Sequence, residues 1–426
     1  MVSPTLPLPI APTDVMLVGG SASAGGDVPA DRVYAPNALR IAGWPASRLA
    51  NMAQGGARTM YSTLLLESFA APLPRGVWIW EHAMNDVYKC TSPAALACVL
   101  EAFLVRIAAL KPALVVLLFL WPCSSPLHRA RVDDRGFAAC RSVIESYALK
   151  MPLVAINVPA WLRASPPAIE SEFTVGGRLS ICHPSPHAHD MFAAIIAELL
   201  GNQSQPASAS SPADLSASPA TSPASAPLAA CANPSIAARE GELALRVASA
   251  RAIFSFNAWR PSLASKMSAG NRTAATWLAA RVTDAASGSA PRDLPPIGEC
   301  EVRGRHDCKR SVELPQCVSG RTLYFALPSH THISAVHYKS SVAANITWTA
   351  SGVEELSPTA AELHEVTDPC FATVDWARRQ YRDGVTRERW WLPDAPVPAR
   401  GLRLCAQTPG AALHWLAVAD VAHSKN

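Results

Sequence analysis

Charged residues are scarce in this chain of 426 residues. Lys and Arg number 37 and Asp and Glu 33, together 16% of the sequence, and the formal net charge is +4. The basic residues are scattered among the acidic ones, and no basic patch interleaved with aromatic residues stands out. Binding to nucleic acid relies on such a concentrated basic surface, so we expect no nucleic-acid partner. The hydrophobic content of 49% also argues against global disorder.

Long hydrophobic runs are also missing. The longest, Ala113–Trp121, is far shorter than the run of about 20 apolar residues that a helix needs to cross a bilayer. It suits a buried strand of a parallel sheet instead. Residues 1–13 contain four prolines and no basic residue, so no signal peptide is visible. We therefore expect no membrane span in this sequence.

The chain has eleven cysteines, and the six in its second half lack the paired spacing of a zinc site. Cys90 and Cys98 are spaced to close a small loop. An even set of six lies in the second half: Cys231, Cys300, Cys308, Cys317, Cys370 and Cys405. Disulfides, together with glycosylation sequons at Asn202, Asn271 and Asn345, are typical of secreted proteins. We predict a secreted or secretory-pathway glycoprotein whose targeting segment is missing from this sequence; a cytoplasmic location is the alternative.

The first 200 residues alternate apolar runs with helical patterns. Strands are predicted at Asp14–Val18, Ser47–Ala53, Val77–Glu81, Ala113–Trp121 and Leu153–Val158. Helices are predicted at Met60–Phe69, Pro93–Leu110, Arg135–Lys150 and His187–Leu200. This alternation is typical of βαβ units and predicts a doubly wound parallel sheet of the α/β class over residues 14–201. Functional residues should lie just beyond the carboxyl ends of its strands.

Residues 202–230 form a low-complexity segment rich in Ala, Ser and Pro. Burial of its few large apolar side chains would not offset the entropy of ordering, so we interpret it as a linker. Beyond it, short β-branched and aromatic segments between turn residues predict an antiparallel β-sandwich over residues 231–426. These segments are Arg321–Pro328, Ile333–Ser341, Asn345–Ser351, Arg387–Leu392, Gly401–Ala406 and Leu413–Ala422. Both a binding module and a purely shielding domain fit this pattern.

The first predicted strand runs into a glycine-flanked serine, Ser21, within the segment Gly-Gly-Ser-Ala-Ser-Ala-Gly that ends at Gly25. A serine held just past a buried strand, where glycines remove side-chain bulk, has the exposure that a hydrolase nucleophile needs. Segments of Gly and Ser also form ordinary turns. Ser21 is thus a candidate nucleophile that the other loops have to support.

Two further loops offer groups that bind a negatively charged oxygen. A glycine pair ending at Gly56 allows close backbone approach, so that a backbone N–H can face a substrate oxygen; a plain turn is the alternative. Asn85 follows the strand Val77–Glu81 and carries an amide that can donate to an oxyanion. An Asn-Asp pair at a strand end also commonly only caps the next helix.

A histidine-rich loop ends the first domain. His183 precedes Pro184, which places it in a turn or an extended segment, where its imidazole can act as a general base toward a serine hydroxyl. His187 and His189 follow, but no carboxylate or His-x-x-x-His pattern completes a metal site with them. We therefore expect no metal and no other cofactor.

These four loops, in this order, resemble the SGNH hydrolase family, the GDSL-type esterases and acylhydrolases, over residues 14–201. Gly19–Gly25 resembles the first block of the family, with Gly20 where the family often has Asp. Asn51 followed by Gly56 resembles the second block. The third and fourth blocks are matched by Glu81–Asp86 and by His183-Pro-Ser with His189 six residues later.

The resemblance implies a flavodoxin-like αβα sheet and a role for each matching residue. Ser21 takes the nucleophile's place and His183 that of the general base, while the Gly56 N–H and the Asn85 amide form the oxyanion hole. The family usually carries Asp three residues before the histidine, where this chain has Ser180. A Ser-His dyad, a carboxylate such as Glu170 or Glu172 arriving from the preceding loop, and a degenerate site are the three open outcomes.

The function expected from this reading is hydrolysis of an ester through an acyl-enzyme at Ser21. The substrate is expected to be a small molecule or a carbohydrate that carries an O-acyl group. Transfer of the acyl group to a sugar hydroxyl needs the same residues and is one alternative. A catalytically degenerate glycan-binding protein is the other.

Overall fold

The computed structural model describes most of the first half of the chain and selected parts of the second. The described residues are 14–25, 28–53, 57–70, 76–89, 92–121, 134–165, 174–175, 180–201, 228–234, 236, 238–257, 280–284, 292–293, 312–319, 321–341, 346–351, 364–366, 386–407 and 409–421. They fall into two compact units, one with the described residues up to 63 and 76–241, the other with 64–70 and the described residues from 242 onward. Across these ranges, no helix combines the length and apolar character that a membrane crossing requires.

The first unit is built on a five-stranded parallel sheet. Its strands are β1 (Val15–Gly19), β2 (Leu49–Asn51), β3 (Val77–Glu81), β4 (Leu114–Phe119) and β5 (Leu153–Asn157). They lie in the order β2-β1-β3-β4-β5, the flavodoxin-like order of doubly wound sheets. A short antiparallel pair follows, β6 (Thr174–Val175) and β7 (Ser180–Pro184). The predicted α/β class and doubly wound sheet are confirmed.

Seven α-helices accompany these strands in the described ranges. They are α1 (Tyr34–Ile41), α2 (Thr59–Ala70), α3 (Ala83–Lys89), α4 (Pro93–Ala109), α5 (Arg135–Ala148), α6 (Val158–Ala164) and α7 (Pro186–Gly201). One sheet face packs Leu17 and Ile79 against residues of α1 and α7, such as Leu39 and Phe192. The opposite face directs Trp80 and Phe119 toward Phe103 of α4 and Phe137 of α5. The sheet is therefore the middle of three layers.

Local signals explain where the long helices begin and why the short ones escaped prediction. The Ser92 hydroxyl accepts a hydrogen bond from the Ala95 N–H at 3.1 Å, and Pro93 occupies the first position of α4. The sequence predicted α2, α4, α5 and α7 but not α1, α3 or α6. Those three have seven or eight residues, too few for a helical period to stand out, and α1 contains Pro36.

The second unit is antiparallel, as the sequence predicted. Helix α8 (Ala238–Ser249) leads into β8 (Ala250–Asn257). The later strands are β9 (Ala280–Asp284), β10 (Arg292–Asp293), β11 (Val312–Glu313), β12 (Arg321–Ser341), β13 (Ile346–Ser351), β14 (His364–Val366), β15 (Thr386–Leu392), β16 (Val397–Ala406) and β17 (Ala412–Val421). In the described ranges these ten strands form one connected sheet, with Phe325, Leu404 and Leu416 in its core.

Strand β12 corrects one prediction of the sequence. Two strands were expected, Arg321–Pro328 and Ile333–Ser341, but the chain continues through both as one strand of 21 residues. Its register with β16 shifts between Ala326 and Thr331. This irregularity accommodates Pro328, which cannot donate a backbone hydrogen bond, so the strand does not end there. The first part of β12 pairs with β9 and β16, and the last part pairs with β15 and β17.

Two disulfides are present among the described cysteines, Cys98–Cys231 and Cys317–Cys405. The first corrects the expectation that Cys98 closes a small loop with Cys90. Next to it, the Ala230 N–H donates to the Glu101 carboxylate on α4 at 2.7 Å. The last residues of the predicted linker, from Leu228 on, are thus held against the first unit, while residues 202–227 and all three sequon asparagines lie outside the described ranges.

Replacement of Arg246 on α8 is expected to lower the stability of the second unit strongly. Its guanidinium donates to the carbonyls of Ser334 at 3.1 Å, Pro393 at 2.6 Å and Asp394 at 2.9 Å, and also pairs with Glu242. We expect Arg246→Met to lower the free energy of unfolding by about 3 kcal/mol, because these carbonyls lose a charged donor. Arg239→Met, at an exposed position of the same helix, should change it by less than about 0.5 kcal/mol. Equal losses in urea denaturation of the two variants would contradict the prediction.

Candidate active site

Ser21 lies on a tight turn at the carboxyl end of β1. Strand β1 is fully buried, and the chain then turns over Gly20–Gly25, with the Ala24 N–H donating to the Gly20 carbonyl at 3.0 Å. Gly25 closes the turn at a φ of 83°, a conformation that favours glycine. The turn faces β3, the neighbour of β1, so Ser21 sits at the point where the strand order reverses. It is partly exposed to solvent.

The two glycines before Ser21 are needed for close approach of other groups. A Cβ on Gly19 would lie 2.3 Å from the Ser23 hydroxyl oxygen and 2.9 Å from the Glu81 carbonyl oxygen. A Cβ on Gly20 would lie 2.3 Å from the amide nitrogen of Asn85. The absence of a side chain at residue 20 therefore allows the Asn85 amide to lie directly beside the residue that precedes the candidate nucleophile.

His183 is brought to Ser21 from the other end of the first unit. It lies in β7, the extended conformation that its position before Pro184 predicted. Its Nε2 is 2.6 Å from Ser21 Oγ, across 162 residues of sequence. Two residues later, the Ser185 hydroxyl accepts from the Ala188 N–H at 3.1 Å and Pro186 opens α7, so the strand that carries His183 is followed at once by a capped helix. The pair has the geometry of a serine activated by a base.

Asn85 is fixed by the backbone of the loop that precedes α2. Its Nδ2 donates to the Ala57 carbonyl at 2.9 Å, which uses one of its two amide hydrogens. The same carbonyl is 3.2 Å from Nδ1 of His82, and His82 Nε2 is 2.9 Å from the Ser62 hydroxyl. Burial lowers the pKa of His82 to about 3, so this histidine is neutral and pins the Ala57 carbonyl without adding charge.

The Asn-Asp pair does not cap the helix that follows β3, because both residues lie inside α3; Asp86 instead contacts the start of the earlier helix α2. The Asp86 carboxylate accepts from the Thr59 hydroxyl at 2.5 Å and faces the Thr59 N–H at the first residue of α2. Asp86 thus caps α2, while the Asn85 amide lies beside Gly20.

A buried polar cluster that the sequence did not reveal lies beneath the serine turn. The Glu81 carboxyl oxygen Oε2 is 2.9 Å from the Ser23 hydroxyl and 3.3 Å from the Gly20 N–H. Ser23 Oγ is in turn 2.6 Å from the Tyr34 hydroxyl. All three side chains are fully buried. A signal was available at Glu81, since an acidic residue ends a strand that is otherwise apolar.

The two histidines after His183 occupy different environments. His187 is exposed, whereas His189 is buried and its Nδ1 accepts from the Tyr34 N–H at 3.2 Å. Burial lowers the pKa of His189 to about 4, so it is neutral. The two side chains do not converge on one point. Within the described ranges, no group of three or more His, Cys, Asp and Glu side chains is arranged to hold a metal ion.

The structure thus brings together three of the four predicted site residues, Ser21, Asn85 and His183. Gly56 lies outside the described residues, as do Glu170 and Glu172. Ser180 is the first residue of β7, and its side chain is not among those described. Asn51, from the second block, donates to the Ser23 carbonyl at 3.4 Å and so also reaches the serine turn.

No protein family and no curated protein sequence matches this chain. Among solved structures, it is similar to a two-domain esterase active on acetylated mannans, with 13% identity, a TM-score of 0.47, and coverage of 96% of this chain and 91% of that one. It is also similar to the lipase/acylhydrolase from Enterococcus faecalis, with 17% identity, a TM-score of 0.35, and coverage of 46% of this chain and 100% of that one. A third similar structure is the psychrotrophic esterase EstA from Pseudoalteromonas sp., with 12% identity, a TM-score of 0.35, and coverage of 45% of this chain and 97% of that one. The first unit has the flavodoxin-like strand order, with Ser21 beyond the end of β1 and His183 Nε2 2.6 Å from its hydroxyl oxygen.

Proposed function

We propose that this protein is a serine esterase that works through an acyl-enzyme at Ser21. The observation that carries the proposal is the 2.6 Å contact between Ser21 Oγ and His183 Nε2 at the carboxyl edge of the parallel sheet. A serine hydroxyl needs a base at this distance to become a nucleophile. Two residues 162 positions apart meet there, on a turn that leaves the serine partly exposed.

In the proposed reaction, Ser21 Oγ attacks the ester carbonyl carbon while its proton passes to His183 Nε2. Collapse of the tetrahedral intermediate breaks the bond to the alcohol oxygen, which takes the proton from His183. Water then attacks the acyl-enzyme, giving a proton to His183, and the acid leaves as Ser21 recovers its proton. Each step needs only these two side chains and the groups that bind the oxyanion.

The oxyanion is proposed to be held by the backbone N–H of Ser21, the N–H of Gly56 and the amide of Asn85. Support comes from Asn85, whose Nδ2 lies beside residue 20 and has a second hydrogen beyond the one given to Ala57. Donors that are fixed before the reaction stabilise developing charge without reorganising. His82 is neutral and contacts the same Ala57 carbonyl, so it helps to fix the acceptor that holds the Asn85 amide.

Labelling with a fluorophosphonate tests the proposal directly, because this probe reacts with activated serines. We expect stoichiometric labelling of the full chain, with the adduct on the peptide that carries Ser21 in mass spectrometry. Hydrolysis of p-nitrophenyl acetate should show a burst of one equivalent of nitrophenol. An adduct on another serine, or no adduct and no hydrolysis, would overturn the proposal.

For the substrate we propose an O-acyl group on a carbohydrate, in a secreted protein. Two disulfides support an oxidising compartment, and the β unit that follows the α/β unit supports a polymeric or glycan substrate. The test measures release of acetate from an acetylated polysaccharide. Its deacetylated form is the blank, and p-nitrophenyl acetate is the small ester used for comparison. Hydrolysis of the nitrophenyl ester alone would restrict the substrate to small esters.

A further inference from the structure

One residue, Glu81, binds the chain on both sides of Ser21. On the N-terminal side, the Gly20 N–H donates to the Glu81 carbonyl at 2.9 Å and faces its Oε2 at 3.3 Å. On the C-terminal side, the Ser23 hydroxyl donates to the same Oε2 at 2.9 Å. The serine turn is therefore tied at two points to the end of β3, and Ser21 lies between them.

The same contacts continue toward the segment that carries His183. Ser23 Oγ is 2.6 Å from the Tyr34 hydroxyl, and the Tyr34 N–H donates to Nδ1 of His189 on α7. The rings of Tyr34 and His189 also stack, with centroids 5.7 Å apart. A buried hydrogen-bonded series thus runs from Glu81 through the serine turn to the helix that follows His183.

The charge state of Glu81 matters because its carboxyl group is completely buried. Oε1 has no hydrogen-bond partner among the described residues, which is a costly arrangement for an ionised carboxylate. Burial raises the pKa of Glu81 to about 8. The negative charge of Asp86 on α3 raises this pKa further. Tyr34 on α1 belongs to the same cluster and stays neutral, because burial raises its own pKa.

We propose that Glu81 is a positioning residue that holds Ser21 in line with His183, and that it does so as an uncharged acid. This inference rests on the proposed function. Oε2 of the neutral acid accepts from Gly20 and Ser23 without placing a negative charge near the oxyanion. A carboxylate there would repel both the oxyanion and the attacking Ser21 oxygen. The groups are close: the Cβ position of residue 20, next to Ser21, is 3.7 Å from Glu81 Oε2 and 2.3 Å from the Asn85 amide nitrogen that is proposed to bind the oxyanion.

The sign of the pH dependence follows from these contacts. Below about pH 8 Glu81 is protonated and the turn is held without charge. As the pH rises through that value, Glu81 ionises, and the rate of attack by Ser21 should fall. The fall is unusual for a serine-histidine enzyme, in which a higher pH keeps the base neutral and active.

The experiment measures the second-order rate constant of fluorophosphonate labelling from pH 6 to 9.5, together with kcat and KM for p-nitrophenyl acetate at pH 7. The variants are Glu81→Gln, which keeps a neutral acceptor of the same shape, and Glu81→Ala, which removes it. Glu101→Gln is the matched control, because Glu101 is a second buried glutamate of the first unit and lies on α4. Circular dichroism and thermal unfolding establish that each variant is folded.

We expect the wild type and Glu101→Gln to lose about tenfold in labelling rate above pH 8, and Glu81→Gln to retain its rate. Glu81→Ala should lower kcat by about 100-fold with KM little changed, because the nucleophile is misplaced rather than the substrate. An alkaline fall that persists in Glu81→Gln, or is absent from the wild type, would overturn the inference. So would full kcat in a folded Glu81→Ala. Failure of the wild type to label at Ser21 would instead overturn the proposed function.

Discussion

Replacement of Ser21 by alanine is expected to abolish the burst and to lower kcat for p-nitrophenyl acetate by about 10⁴-fold or more. The hydroxyl that Ser21 contributes is the group 2.6 Å from His183 Nε2, so its loss removes the covalent step. His183→Ala should have an effect of similar size, because the remaining hydroxyl has no base at that position. Steady-state kinetics and fluorophosphonate labelling measure both.

The double variant Ser21→Ala, His183→Ala distinguishes a working pair from two independent contributions. Residues that act as one unit show effects that do not add, so the double variant should be no slower than the worse of the single ones. His187→Ala is the matched control, since this exposed histidine lies four residues from His183. It should retain kcat within about twofold. A Ser21→Ala variant with substantial activity would exclude the proposed nucleophile.

The second large effect is expected from Gly20→Ala, a change of one methyl group that touches no reacting atom. The new Cβ would stand 2.3 Å from Asn85 Nδ2, so the amide must move and release the Ala57 carbonyl. Displacing one donor of an oxyanion hole lowers kcat by about 10² to 10³. We expect that loss, with KM little changed and the fold intact by circular dichroism.

Gly201→Ala is the control for this variant, because a Cβ there meets nothing within 4 Å. It should leave kcat unchanged. Combining Gly20→Ala with Asn85→Ala should cause little loss beyond Asn85→Ala alone, since both changes remove the same donor. A fully active Gly20→Ala would mean that the Asn85 amide does not serve the reaction.

From sequence, candidate site residues could be proposed where a residue's chemistry and its place after a strand coincide, and their catalytic roles remain predictions. Ser21 and Asn85 follow β1 and β3, neighbouring parallel strands whose carboxyl ends lie at one edge, whereas His183 lies in the separate antiparallel pair β6-β7. The residues of the buried polar cluster beneath the serine turn were not predictable in this way. Ser23 and Tyr34 are ordinary as single residues, and their link to Glu81 spans 58 positions of sequence between Ser23 and the acid.

The fold divides along similar lines. Continuous apolar runs such as Leu114–Phe119 predicted the parallel sheet, because strands buried on both faces leave no alternation to misread. The partner of Cys98 was out of reach, since pairing depends on which parts of the chain meet in space. The continuity of β12 was also hidden, because Pro328 signals an interruption that the register shift in fact accommodates.

The disulfide Cys98–Cys231 joins two residues that are 133 positions apart and so closes a covalent ring of the polypeptide. His183 lies within this ring, and Ser21 lies outside it. A protease that cuts anywhere between these two cysteines opens the ring but leaves the two fragments covalently joined. This includes every cut in residues 202–227. Shedding of the second unit as a separate fragment therefore requires either a reductant or a cut beyond Cys231.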